Sequence, residues 1–258
     1  MGQNERLANE RPPVLFVPGG VMPAAMSYGP LLDVIGDEVQ PIIKELEVYA
    51  VDAPPADFGL ELEIEGIRRA ADAADARRFH LVGYSGGGAA SLAFTAQYPE
   101  RLLSLALIEP AAIPNAEWMR EEADFWKELD LIMTLPPEER LEPFIRLDLR
   151  PGVSMPPLLD GPPPPWMANR PAGLAAFNRA FKAYNMDLDR LRHFQQPVYL
   201  AIGSLSNPIE ERKAKTLSAL FPAFRLEIYE GLHHFNPPHR AEPERFARAL
   251  RELWARAG

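Results

Sequence analysis

Residues Phe79 to Phe94 read FHLVGYSGGGAASLAF, an apolar run that ends in Gly83-Tyr84-Ser85-Gly86-Gly87 and passes at once into a helical stretch of small residues. A strand that turns directly into a helix over Gly-x-Ser-x-Gly forms a sharp elbow. The two glycines remove side chains that would collide there, and Ser85 is held in a strained conformation at the carboxyl edge of a sheet. Ser85 is therefore a candidate nucleophile. The same residues approximate a dinucleotide-binding fingerprint, Gly86-x-Gly88-x-x-Ser91, with Glu109 ending the next strand where a ribose-binding acid belongs. Against that, serine replaces the third glycine, and the motif follows two earlier strands instead of opening the fold.

Working outward, further short apolar runs occur at Val14–Val17, Val48–Val51, Leu103–Ile108, Val198–Ile202 and Leu226–Tyr229. With Phe79–Val82 they make six expected strands, and helical patterns near 61–76 and 87–97 separate the early ones. Continuous apolar runs alternating with helices indicate a mostly parallel α/β sheet. Ile64, Ile67, Ala70, Ala71 and Ala74 fall on one face of the first helix. A last helix is expected from Pro243, with Phe246, Leu250, Leu253 and Trp254 at helical spacing. Between Ile108 and Val198 roughly ninety residues show helical patterns near 115–132, 137–148 and 172–192 but no strand. A loop of that size is implausible without structure of its own, which predicts a helical insertion. Thirteen of the 28 prolines lie between Pro110 and Pro171, and Gly161 to Trp166 (GPPPPW) is expected to be an extended polyproline II connector.

After the last strand comes Gly231-Leu232-His233-His234-Phe235. A histidine on that loop suits a general base, since a serine hydroxyl at neutral pH needs a neighbouring imidazole to take its proton and return it to the leaving group. His233, His234 and His239 form no carboxylate-supported pattern of metal ligands. His80 and His193 read as structural or solvated.

In the order and spacing of these features the chain resembles the α/β-hydrolase family over nearly its whole length apart from the insertion. The resemblance implies an α/β-hydrolase fold with about six strands, the family's usual first two being absent, and helices on both faces. It divides the chain into a core of residues 1–110 and 191–258 and an inserted helical, proline-rich cap of residues 111–190. Residue by residue it carries the nucleophile onto Ser85, the base onto His234 with His233 as a neighbour, and the oxyanion-binding N–H groups onto Gly20 and Gly86. Pro18 stands where the family's oxyanion motif has histidine. The stretch Gly203-Ser204-Leu205-Ser206-Asn207-Pro208, where the family commonly carries its acid, has no carboxylate. The alternative position used by some members falls on Glu109, the expected acid, with Glu210 and Glu211 as the other choices. Tyr84, Trp118, Trp126 and Trp166 are candidates for the substrate pocket.

Serine attacking an alkyl carbon would leave an inert ether, so dehalogenase and epoxide-opening chemistry are excluded and an acyl carbon is the target. The expectation is a cofactor-independent hydrolase of small carboxylic esters. Carbon–carbon bond hydrolysis, lactone opening, acyl transfer and perhydrolysis share the same residues, and a non-catalytic ligand sensor is the alternative of another class. The net charge of −9, from 27 basic and 36 acidic residues without a basic block, opposes nucleic acid as a partner. The composition, 47% hydrophobic and 24% charged, is that of a globular protein. Without cysteine there is neither a disulfide frame nor a thiolate nucleophile. No apolar run approaches a membrane span and the first residues lack a signal-peptide core, so the expected location is cytoplasmic.

Overall fold

The computed structural model describes residues 11–155 and 164–257. Gly161 to Pro163, the first half of the expected polyproline connector, lie outside the described residues. Six strands form one sheet: β1 (Pro13–Val17), β2 (Gln40–Ile43), β3 (Phe79–Tyr84), β4 (Leu102–Ile108), β5 (Val198–Gly203) and β6 (Phe224–Tyr229). Their order is β2-β1-β3-β4-β5-β6, and every neighbouring pair is parallel. Val17 pairs with Gly83, Tyr84 with Ile108, and Ile108 with Ala201. The carboxyl ends of the central strands are thus level, and the loops after β1, β3, β4 and β5 emerge side by side on one edge.

Strand alternation divides the apolar residues between two layers. Val14 and Phe16 face α1 (Ala24–Ile35) and the C-terminal helix Pro243–Ala255, which supply Tyr28, Leu31, Phe246 and Leu250 to that layer. Leu15 and Val17 face the opposite way, toward α2 (Leu60–Ala73) and α3 (Ser85–Gln97). All of α3 except Gln97 is buried, and its opening run of glycine lies so close to neighbouring backbone that a Cβ on Gly87 or Gly88 would meet Pro18 or Pro110 at 2.4 and 2.9 Å respectively.

The run Val48–Val51, expected as the second strand, is not one. Glu47–Tyr49 is a single 3-10 turn, and the Val48 N–H donates to the Glu63 carboxylate at 3.0 Å instead of to a ladder. The strand lies earlier, at Gln40–Ile43, where exposed Gln40 and Pro41 disguise it; an edge strand tolerates proline because one of its sides needs no donors. Helix α1 was also hidden from the pattern by Gly29 and Pro30 inside it.

Between β4 and β5 the chain forms α4 (Ala116–Glu121), α5 (Ala123–Thr134), α6 (Leu141–Leu147), α7 (Arg170–Ala183) and α8 (Leu188–Arg192). It is laced to the turn after β5: Arg150 N–H donates to the Leu205 carbonyl at 2.8 Å, Asn207 N–H to that of Asp148 at 2.9 Å, and Asn207 Nδ2 to that of Leu147 at 2.7 Å. After β5 come α9 (Ile209–Leu220), the short α10 (Pro238–Ala241) and α11, the C-terminal helix (Pro243–Ala255). Among the described residues no helix is long and apolar enough to cross a membrane.

Candidate active site

Ser85 opens α3 with φ of 51°, left-handed for a residue with a side chain. The closeness of the surrounding chain explains the motif's glycines. A Cβ on Gly83 would lie 2.3 Å from Ser91 Oγ, and one on Gly87 would lie 2.4 Å from the Pro18 carbonyl oxygen. The Ser91 hydroxyl donates to the Gly87 carbonyl at 2.7 Å, and Gly88 packs against Pro110. The residues of the dinucleotide fingerprint are therefore engaged in packing the elbow.

Ser85 Oγ lies 3.0 Å from His234 Nε2, and His234 Nδ1 lies 2.9 Å from Glu109 Oε2. Glu109 follows β4 with φ of 40° and is 1% exposed. Its other oxygen accepts from the Gly203 N–H at 2.6 Å and the Ser206 hydroxyl at 2.5 Å, both on the stretch that carries no acid of its own. Burial pushes the Glu109 carboxyl up, but the hydrogen bond and charge of His234, with the Gly203 and Ser206 donors, outweigh it and hold Glu109 below the ordinary glutamate value. Burial likewise works against charge on His234; the negative charge of Asp148 and the bond to Glu109 prevail and raise its pKa. The carboxylate holds Nδ1 protonated, so Nε2 is left as the acceptor toward Ser85.

Glu210 and Glu211 do not meet His234. Glu210 is bonded to Lys213 at 2.5 Å, and Glu211 pairs with Arg150. His233 accepts from the Phe235 N–H, and His239 is buried on Ser27 Oγ at 3.2 Å, so the three histidines of this region serve separate surroundings.

Gly20 and Gly86 face one another: a Cβ on Gly86 would lie 3.7 Å from Gly20 N. Both glycines line the cavity that opens onto Ser85. The peptide that follows Gly20 is held by Tyr49, whose hydroxyl donates to the Gly20 carbonyl at 2.6 Å. Tyr49 is in turn covered by α7: the Arg170 guanidinium sits 3.8 Å from the ring centroid, and Gly173 approaches so closely that a Cβ there would lie 2.0 Å from the ring. Sequence reading missed this role because it placed Tyr49 in a strand.

The cavity and its solvent-open mouth together take up about 530 Å³. Most of its wall comes from the segment between β4 and β5, including Phe125, Trp126, Phe144, Phe177 and Phe181, with Asp148 and Asn178. A second cavity, about 480 Å³ with its solvent-open mouth, meets the first at Ser85 and is bordered by Met22, Tyr84, Phe235 and Arg240. Of the aromatic residues proposed for the pocket, Trp126 lines the first cavity and Tyr84 the second, with the Tyr84 hydroxyl bonded to the His234 carbonyl. Trp118 and Trp166 line neither. Trp118 is buried edge-on against Trp126, behind the wall, because the helix breaks at Glu122 and separates them onto α4 and α5. Trp166 is half-buried, its ring 5.8 Å from the Arg170 guanidinium.

The arrangement supplies a hydroxyl, an imidazole in contact with it and a carboxylate behind the imidazole, opening onto a mainly apolar cavity that the backbone of Gly20 and Gly86 also borders. Such a set can transfer an acyl group through serine.

In overall shape the chain is similar to a thermophilic esterase from Thermogutta terrifontis, with a TM-score of 0.70 at 19% identity, covering 96% of this chain and 91% of that one. It is similar too to the carboxylesterase CesB from Bacillus subtilis, with a TM-score of 0.64 at 18% identity over 95% and 84% of the two chains. The naproxen esterase from Bacillus subtilis gives 0.61 at 15% identity, over 95% and 84%. At these identities the likeness is one of fold. By sequence, no curated protein matches. The sequence model of the Alpha/beta hydrolase family, however, matches residues 14–249, nearly the whole chain, and the protein belongs to that family.

Proposed function

We propose that the protein is a serine hydrolase that cleaves small carboxylic esters through an acyl-enzyme. The observation that carries this reading is the hydrogen-bonded series Ser85, His234, Glu109 at the mouth of a cavity that Gly20 and Gly86 also border. Ser85 Oγ attacks the ester carbonyl as its proton passes to His234 Nε2. The carbonyl oxygen, now an anion, accepts from the Gly20 and Gly86 N–H groups. His234 returns the proton to the leaving alcohol, the acyl group stays on Ser85, and water activated by His234 releases it as the acid. Glu109 holds the imidazole in its working tautomer and balances its charge, and the reaction needs no cofactor. Residues 111–190 act as a cap whose side chains shape the acyl or alcohol site, a role supported by the aromatic wall that this segment contributes.

A fluorophosphonate probe tests the proposal: it should label Ser85 in the folded protein and fail on Ser85→Ala. That variant should also lose p-nitrophenyl ester turnover while keeping its circular dichroism spectrum. A folded wild type that resists the probe and leaves every ester intact would refute it. A panel of esters, thioesters, lactones and β-diketones separates ester hydrolysis from the other acyl chemistries open to the same serine.

A further inference from the structure

Asp148 stands just beyond α6, on the wall of the cavity that opens onto Ser85 and His234. Its main chain is tied down by its N–H to the Ile145 carbonyl at 3.2 Å and by its carbonyl to the Asn207 N–H at 2.9 Å. None of the fold's hydrogen bonds among the described residues uses its carboxylate. Two costs attend a carboxylate there. It is half-buried, and its partial withdrawal from water pushes its pKa up against the opposing charges of His234 and Lys213. It also sits at a helix C-terminus, where unpaired carbonyls already concentrate negative charge. The Lys213 ammonium, the nearby cation, is held by Glu210 and the Pro110 carbonyl.

The rest of the wall favours one kind of visitor. Phe125, Trp126, Phe144, Phe177 and Phe181 present aromatic rings, whose faces attract cations; Lys182 Nζ lies 5.9 Å from the Trp126 centroid and Arg240 borders the adjoining cavity, but among the described residues no lysine or arginine lines this one. Asn178 turns its amide nitrogen to the Asp130 carboxylate at 2.8 Å, which leaves its Oδ1 buried without a protein donor. The chain's net charge of −9 draws cations generally.

We propose that this cavity binds a cationic substituent of the substrate, an ammonium or quaternary ammonium group, with Asp148 as its counter-ion. Joined to the ester-hydrolase reading on which it rests, this makes esters bearing a charged amine the substrate class.

The test begins with binding, which does not depend on turnover. Ligand-observed NMR titrations of the intact protein compare choline with its uncharged carbon isostere, 3,3-dimethylbutanol. Choline should bind about tenfold more tightly, the range of a partly desolvated cation on aromatic faces with a counter-ion. Asp148→Asn, nearly isosteric, should erase that preference, and Asp148→Glu should retain most of it. Equal binding of the two ligands, or a preference that survives Asp148→Asn, overturns the proposal. The kinetic arm compares butyrylcholine with 3,3-dimethylbutyl butyrate. The ratio of their kcat/KM values should favour the cation and collapse in Asp148→Asn, while an equal loss on both esters would tie Asp148 to His234 instead and overturn the cation site. Selective binding of choline with no turnover of either ester would leave the site standing and count against the hydrolase reading alone.

Discussion

Glu109 shows how much a single residue can be made to do by its backbone. A φ of 40° after β4 turns its side chain across the sheet edge, where two donors from the β5 turn fix one oxygen and His234 takes the other. Replacing it with glutamine keeps the shape but removes the charge that stabilises an imidazolium and fixes the tautomer. Glu109→Gln should lower kcat by about 10²–10⁴-fold in stopped-time ester assays, within the range seen when a triad acid is neutralised. The pH profile carries a second signature. His234 must be neutral to act as a base, and its pKa is raised above 6.5, so kcat/KM should rise with pH through a midpoint above that value. Losing the Glu109 charge should move that acid limb to lower pH. Ser85 and the histidine pair were legible as candidates because each stands in a local motif between a strand and a helix, whereas the choice of His234 and of Glu109 came from the family resemblance, Glu109 at the alternative acid position after the strand that follows the elbow. Asp148 and Tyr49 carried no such signal; what makes them notable is the company they keep from distant parts of the chain.

Among the elements, the misread second strand is the most instructive. Val48-Tyr49-Ala50-Val51 has the composition of a strand, yet Glu63 on α2 captures the Val48 N–H, and the edge position goes to Gln40–Ile43. Of the strands that match the sequence reading, β1 and β3 to β5 have strong apolar runs and are well buried, so burial and propensity agree there, while the edge strand β6 alternates apolar residues with Arg225 and Glu227. Local propensity yields to a buried hydrogen bond where the two conflict. The displaced segment gains a function, since Tyr49 holds the Gly20 carbonyl and supports α7. Tyr49→Phe removes only the hydroxyl. It should lower kcat by about tenfold by loosening the Gly20–Val21 peptide and, through the Gly20 Cα, the orientation of the preceding Gly20 N–H, an effect of the order expected when an oxyanion donor is misaligned rather than deleted. KM for a small ester should move little, and the melting temperature by no more than a few degrees. An unchanged kcat would show that the glycine loop keeps its shape unaided.

For the molecule as a whole, acid sensitivity follows from histidines sealed in the core. His239 is fully buried between Tyr28 and Tyr84, and burial lowers its pKa from 6.5 to about 3. Below pH 6.5 the unfolded chain therefore takes up a proton that the folded chain refuses, and stability falls as pH falls toward about 3; above 6.5 this contribution is constant. His80, lowered to about 4, acts in the same sense. Glu210, raised to about 7, acts in the opposite sense between 4.5 and about 7, so a bare pH scan mixes the two. The stability difference between wild type and His239→Gln isolates the histidine. In urea titrations it should shift against the wild type by about 1.4 kcal/mol per pH unit below 6.5.

The turn Ser204–Asn207 holds the acid and the cavity wall at once. Ser206 bonds Glu109, while Leu205 and Asn207 bond the backbone of residues 147–150 beside Asp148. The segment between β4 and β5 is for that reason not an interchangeable module: grafting another protein's insertion here would release the turn and loosen Glu109 along with the wall. Engineering a new specificity into this scaffold would have to preserve those few main-chain bonds, or accept a slower enzyme with every change of substrate.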